Sequence, residues 1–155
     1  METSIDSGSA GGQRAAWMRV LALAGADALD AALRGLGPLP ERRWLRPPQT
    51  GMAMVRARAG GTGAQFNLGE MTVTRCTLAL PEGVVGTAYV RGRDVRHAEQ
   101  AALADALLQL PAWRERVRSA VIEPLERAHA EREARRAREA AQTRVDFFTL
   151  ARGED

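Results

Sequence analysis

The spacing of apolar residues constrains this chain more than any other feature of its sequence, because it changes twice. Apolar residues recur at helical spacing up to residue 36, alternate along residues 50–59, and return to helical spacing after residue 94. Helical regions separated from a run of strands are typical of an α+β domain. We therefore predict a helical hairpin, an antiparallel meander of about four strands, and two long C-terminal helices with an extended arm and tail.

Glycine and proline mark the ends of the predicted elements. The first helix contains Trp17 and ends at Gly25, and a second helix begins at Asp27 and stops before Gly37 and Pro38. The predicted strands are residues 43–45, 50–59, 70–80 and 84–91, with a glycine-rich loop at residues 60–63.

The third predicted strand changes its apolar phase part-way along. Met71 and Val73 occupy odd positions, whereas Cys76 and Leu78 occupy even ones. A β-bulge near Thr74 and Arg75 would restore the phase, so the pattern predicts one there.

The helix predicted for residues 94–110 is apolar on two faces, and Asp94 is a suitable N-cap that can accept from the amide of His97 or of its neighbour. Because a surface helix needs only one apolar stripe, this helix is expected to lie between the domain's sheet and some other surface. Pro111 suits the first turn of the next helix, and Pro124 is expected to kink it.

The C-terminal part of the chain differs from the rest. Residues 129–144 contain no large apolar side chain, yet Phe147, Phe148 and Leu150 follow directly. Such an arm cannot be held by hydrophobic burial along its length, so we expect its apolar end to dock on a partner. The predicted organisation is a flexible leader at 1–13, one α+β domain at 14–128, and a partner-docking arm and tail at 129–155.

Composition narrows the class of protein. The 155 residues suit one domain, and the single cysteine, Cys76, excludes an intrachain disulfide and fits a reducing compartment. The leader has no signal-peptide pattern and no apolar run approaches membrane-spanning length. We expect a cytoplasmic protein that neither spans nor binds a membrane.

The densest polar cluster of the predicted domain contains Arg91, Arg93, Asp94, His97 and Glu99. Two arginines beside a helix N-terminus suit an anionic substrate or partner, and a histidine can move a proton. The alternative is a structural cluster at a subunit contact, in which Asp94 caps the helix and Arg93 pairs with Glu99. The sequence favours a contact over a catalytic site, and its two histidines and one cysteine predict no metal site.

Two weaker patterns remain. The loop at residues 60–63 offers backbone amides that suit a phosphate, but it lacks the lysine-serine ending of a phosphate-binding loop, so a plain hairpin loop is favoured. All 22 basic residues are arginines, but acids nearly match them along residues 123–139, where aromatic residues are absent. Nucleic-acid binding is therefore not expected.

Several segments together resemble a known family. They are residues 49–51, 57–63 and 72–75, the Arg91-Gly92-Arg93-Asp94 cluster with residues 97–99 and 103–108, and the Arg-Val-Asp-Phe-Phe-Thr ending at residues 144–149, followed by residues 152–153. In order and spacing they resemble the G subunit of the bacterial carbon–phosphorus lyase core complex, from Trp17 to the C-terminus.

The resemblance implies an accessory subunit of an assembly that breaks down organophosphonates during phosphate starvation. In that pathway a phosphonate displaces adenine from ATP, which gives a ribose 1-phosphonate 5-triphosphate. The displacement is attributed to the I subunit, and a separate radical subunit later cleaves the carbon–phosphorus bond. The resemblance carries over no catalytic residue.

It also implies that this chain binds no cofactor and that ATP is a substrate of the whole complex. The implied partners are the other core subunits, chiefly the I subunit. The apolar tail, independently of the resemblance, predicts a homodimer as one possible arrangement when these partners are missing. Two other functions stay open: a stand-alone module that binds an anionic metabolite through Arg91, Arg93 and the glycine loop, and an arginine-rich nucleic-acid binder.

Overall fold

A computed structural model describes residues 7–143, and the predicted α+β class and its helix–sheet–helix order are confirmed. The helical hairpin comes first, a three-stranded sheet follows, and the remaining helices complete the described part. The elements are α1 (Ser7–Leu23), α2 (Ala26–Arg34), β1 (Arg43–Arg58), β2 (Gln65–Ala79), β3 (Val85–Arg91), α3 (Val95–Gln109), α4 (Pro111–Val117) and α5 (Glu123–Gln142). Because α1 begins at Ser7, residues 7–13 of the predicted leader are helical.

The sheet is antiparallel with the order β1-β2-β3, so the meander has three strands in residues 7–143 where about four were predicted. Residues 43–45 are the start of β1 and not a separate strand. The pairing of β1 with β2 shifts register on both sides of Arg46, next to Pro47 and Pro48. Proline has no N–H to donate, and an edge strand such as β1 tolerates it at an irregularity.

The bulge predicted near Thr74 and Arg75 is wrong. The pairing of β2 with β3 is regular from Val73 to Ala79. Thr74 is fully buried on the same face as Cys76, and its hydroxyl donates to the carbonyl of Gly92 at 2.7 Å. The apolar phase changes because Val73 lies on the other face of the sheet from Thr74 and Cys76, the same face as exposed Arg75.

Helix α3 forms the centre of the core, and its two apolar faces are used as predicted. One side packs on β2 and β3, and the other contacts α1, α2 and α4. Gly86 of β3 permits the closest approach, since a Cβ there would lie 2.0 Å from the carbonyl oxygen of Ala102. The sheet and α3 therefore pack nearly backbone to backbone.

A buried carboxylate joins three elements of this core. Asp105 of α3 has no exposed side-chain surface and accepts hydrogen bonds from Arg14 at 2.8 Å and from the indole of Trp17 at 2.8 Å. It also accepts from the amide of Thr87 at 3.0 Å. The hydrogen bond to Asp105 raises the pKa of Arg14. We call these four residues the Asp105 cluster; it fixes α1 and β3 to α3.

The last helices run on from one another through a wide π turn at Arg118–Ile122, where the amide of Glu123 donates to the carbonyl of Arg118. This turn ends two residues before Pro124, which cannot donate a helical hydrogen bond. Leu125 is buried, and residues 133–143 are exposed throughout. The predicted docking residues Phe147, Phe148 and Leu150 lie outside the described residues.

Candidate interaction surface

The predicted cluster begins at the turn that joins β3 to α3. Arg91 ends β3, and Gly92 follows with a φ of 94°, a conformation that favours glycine. The carboxylate of Asp94 then accepts from the amide of His97 at 2.9 Å, so the predicted N-cap is confirmed. Arg91 and Arg93 are both exposed at this junction.

His97 does not join the two arginines at the surface. Its side chain is buried, and its Nε2 lies 2.8 Å from the carbonyl oxygen of Leu21 in α1. A carbonyl oxygen only accepts, so this nitrogen donates. This hydrogen bond joins α3 to α1, so the imidazole of His97 has a structural role.

Glu99 also faces away from Arg93. It forms an ion pair with Arg42, which precedes β1, at a cleft of about 750 Å³ between α2 and α3. On the opposite wall, Asp30 is paired with Arg34 at 2.5 Å and with Arg96 at 2.7 Å. Each of these carboxylates already has an arginine partner.

The other arginine of the cluster, Arg91, belongs to a larger basic surface. Register places Gln49, Arg75 and Tyr89 in one row across the three strands, and Arg91 occupies the next row on the same face. This face lies opposite α3, because the intervening residues of β2 are buried. With Arg46 from the preceding row, these residues form what we call the outer sheet face: Arg46, Gln49, Arg75, Tyr89 and Arg91.

The outer sheet face carries one sign of charge. Its three arginines have no carboxylate among them in the described rows of the sheet. A shallow cleft of about 550 Å³ runs between Gln49, Arg75 and Tyr89. A surface of this kind attracts an anionic group or an acidic protein. Sequence reasoning missed Arg75 and Tyr89, although the alternation of Arg75 with buried Cys76 and Leu78 was a signal for them.

Comparison with known proteins now places the chain. Residues 12–153 match the family model described as "Phosphonate metabolism protein PhnG". The chain belongs to the PhnG family. It is also 45% identical over 154 residues to the "Alpha-D-ribose 1-methylphosphonate 5-triphosphate synthase subunit PhnG" of Rhizobium meliloti (strain 1021), with 99% of this chain and 97% of the relative covered. The resemblance drawn from the sequence is confirmed.

The PhnG family match includes the C-terminal residues that were predicted to dock on a partner. Phe147, Phe148 and Leu150 lie within residues 12–153. It also includes the loop at residues 60–63, which the structure places between β1 and β2, at the far end of their hairpin from Arg91. The loop and the two arginines of the predicted anion site therefore do not form one site.

Cys76, a potentially reactive side chain of this PhnG family member, has a structural partner. The thiol of Cys76 is fully buried and donates to the carbonyl of Ala98 at 3.0 Å. Burial, and secondarily the charge of Glu99, raise its pKa to about 12, so the thiolate needed for nucleophilic attack is scarce at neutral pH.

Residues 7–143 contain no group of three or more His, Cys, Asp or Glu side chains placed to hold a metal ion. None of the helices in this range is long and apolar enough to cross a membrane.

Proposed function

We propose that this chain is an accessory subunit of the enzyme complex that converts a phosphonate and ATP into a ribose 1-phosphonate 5-triphosphate and adenine. The observation that carries the proposal is its 45% identity, over nearly the whole of both chains, to a subunit named for that synthase. In this role the chain supports displacement of adenine from ATP during organophosphonate catabolism and does not catalyse it alone.

The environments of three potentially reactive side chains support an accessory role. Cys76 is a buried thiol with a raised pKa, His97 donates to a backbone carbonyl, and Asp105 is held by Arg14 and Trp17. A nucleophile or general base must reach a substrate, and these groups are turned into the core. The exposed charged groups of the outer sheet face are arginines, which suit binding better than proton transfer.

We also propose that the partners are the other core subunits, chiefly the I subunit, and that isolated chains form a homodimer. The chain would bind no cofactor of its own, and ATP would enter as a substrate of the assembled complex. We place the protein in the cytoplasm, without a role for membranes or nucleic acid. The contacts would use Arg91 and Arg93 on one side and the arm and tail at 129–155 on the other.

Co-expression with the I subunit and the remaining core subunits tests this proposal. We expect one complex on size-exclusion chromatography, and adenine release from ATP that depends on methylphosphonate and on this chain. A complex that forms and releases adenine equally well without this chain would contradict the proposal.

The two arginines can be tested in the same assay. Replacing Arg91 and Arg93 with alanine is expected to weaken assembly or adenine release while the isolated protein stays folded, because both side chains are exposed. Arg19→Ala, an exposed arginine of α1, is the matched control. Normal assembly and activity of the double variant would leave Arg91 and Arg93 as ordinary surface residues.

The outer sheet face favours a second candidate function, the binding of an anionic metabolite without partners. Arg46, Arg75 and Arg91 lie on one surface beside the cleft at Tyr89. Calorimetry of the isolated protein with ATP or methylphosphonate separates the two functions, because only the second requires binding by the chain alone. Heat of binding that disappears in Arg75→Ala would favour the second.

A further inference from the structure

The hairpin of β1 and β2 extends well beyond the rest of the sheet. β3 pairs only with residues 73–79 of β2, so residues 52–58 and 65–72 form a two-stranded ribbon. Eight residues of extended chain make this ribbon about 26 Å long. An isolated two-stranded hairpin is at best marginally stable in water, so a ribbon of this length is expected to lie against something.

The ribbon exposes apolar side chains on both of its faces. Met52 and Met54 lie on the face that continues from buried Thr74, whereas Phe66 lies on the opposite face, paired across the strands with Ala57. The register of the two strands shifts between Gly69 and Asn67 of β2. Leu68 lies at this shift and is 64% exposed. Of the ten large apolar side chains that the described residues leave exposed, six belong to this hairpin: Trp44, Leu45, Met52, Met54, Phe66 and Leu68.

This distribution of apolar groups is typical of a surface that binds protein. Scattered single apolar residues are normal on a protein surface, but a concentration of them marks an interaction site. Methionine adapts its unbranched side chain to irregular partner surfaces. In residues 7–143 the outer edge of β1 along the ribbon also pairs with no other strand.

The charge of the hairpin selects the partner. Residues 43–79 contain five arginines and one carboxylate, Glu70, whereas the whole chain has a net charge of only +3. Two copies of the hairpin would bring like charges together, which opposes self-association through this element. A partner with an apolar groove and an acidic border would bury the methionines in the groove and pair the arginines with the carboxylates of the border.

We propose that the ribbon is the element by which this chain docks into an acidic-bordered apolar groove on another subunit of the synthase complex. Met52, Met54, Phe66 and Leu68 enter the groove from both faces of the ribbon, and Arg56 and Arg58 contact its border. This inference rests on the proposed function, and it adds a docking element that is separate from Arg91, Arg93 and the C-terminal tail.

The test uses full-length chains co-expressed with the other core subunits. The double variant Met52→Gln and Leu68→Gln removes two strongly exposed apolar groups, and Leu23→Gln is the control, since Leu23 is 45% exposed on α1. A second pair is Arg56→Glu on the ribbon and Arg19→Glu on α1, both exposed and without ion-pair partners among the described residues.

We expect the ribbon variants to weaken co-purification by about tenfold or more and the controls to change it by less than about twofold. Thermal melting of each isolated variant should match that of the unmodified protein, because every replaced side chain is exposed. Charge reversal at Arg56 should weaken binding most at low salt, where its attraction to an acidic border is screened least.

The experiment distinguishes failure of the proposed function from failure of the ribbon inference. If the unmodified chain does not join the complex, the proposed function fails and this inference falls with it. If the unmodified chain joins and the ribbon variants join equally well, only the ribbon inference is overturned. A dimer of the isolated chain that Met52→Gln and Leu68→Gln abolish, or binding of a single-stranded oligonucleotide that Arg56→Glu abolishes, would replace the subunit groove with another occupant and also overturn it.

Discussion

The body of the protein, in which α3 packs on the three-stranded part of the sheet, differs from the ribbon that β1 and β2 extend beyond it. The body buries its apolar side chains, whereas the ribbon exposes them. In the body, apolar residues of α3 are buried between two layers, and even the carboxylate of Asp105 has several donors. In the ribbon, Met52 and Leu68 are about two-thirds exposed and no helix covers either of them. The body is therefore expected to fold without help, whereas the ribbon presents a surface that suits another molecule.

The largest expected effect comes from breaking the Asp105 cluster. Asp105→Ala leaves the amide of Thr87 and the indole of Trp17 without an acceptor inside the core, so we expect the free energy of unfolding to fall by about 3–5 kcal/mol. Urea denaturation measures the change. Glu82→Ala, in an exposed turn, is the control and should change stability by less than about 0.5 kcal/mol. Equal midpoints for both variants would mean that the cluster does not hold the body together.

A pair of glycines compares the two regions directly. Gly86→Ala forces a Cβ against the carbonyl of Ala102 at 2.0 Å, and we expect a loss of about 1–3 kcal/mol or more. Gly69→Ala, in the ribbon opposite Val55, meets no atom within 4 Å and should change stability by less than about 0.5 kcal/mol. Similar losses at both positions would show that the ribbon is packed as tightly as the body.

The pH dependence of stability sharpens the comparison through Cys76. Its pKa rises from 9.0 to about 12 on folding, chiefly by burial, so above pH 9 the unfolded chain loses a proton that the folded chain keeps. Stability from this group is complete below pH 9 and falls by up to about 1.4 kcal/mol per pH unit between pH 9 and 12. Denaturation midpoints of the protein and of Cys76→Ala should therefore converge as the pH rises. Parallel curves would mean that the thiol ionises as readily in the folded protein as in the unfolded chain.

The smallest expected effect on stability is that of removing the arm and tail, for which we propose an interaction role. Truncation after Ala128 removes a stretch that is exposed throughout from residue 133 to residue 143, so the remaining protein should unfold within about 1 kcal/mol of the intact one. The same truncation should prevent assembly with the core subunits. A truncated protein that is unfolded, or that assembles as well as the intact one, would contradict this division of the chain.

Local physical chemistry made a large part of the fold predictable. The helical hairpin ending near Gly37, the cap at Asp94, the helix start at Pro111 and the loop at residues 60–63 depend on residues only a few positions apart. The two apolar faces of α3 likewise predicted a helix covered on both sides, by the sheet and by another surface. These features follow from sequence because the atoms that decide them are neighbours along the chain.

Only the tertiary structure decided which surface each polar residue serves. His97 and Arg93 are four residues apart, yet one donates to Leu21 in the core and the other is exposed. Glu99 pairs with Arg42, a residue 57 positions away. The merging of residues 43–45 into β1, the alignment of Arg75 with Tyr89, and the extension of the ribbon beyond β3 all depend on strand register. Register is set by pairing between distant segments, and the local spacing of apolar residues does not contain it.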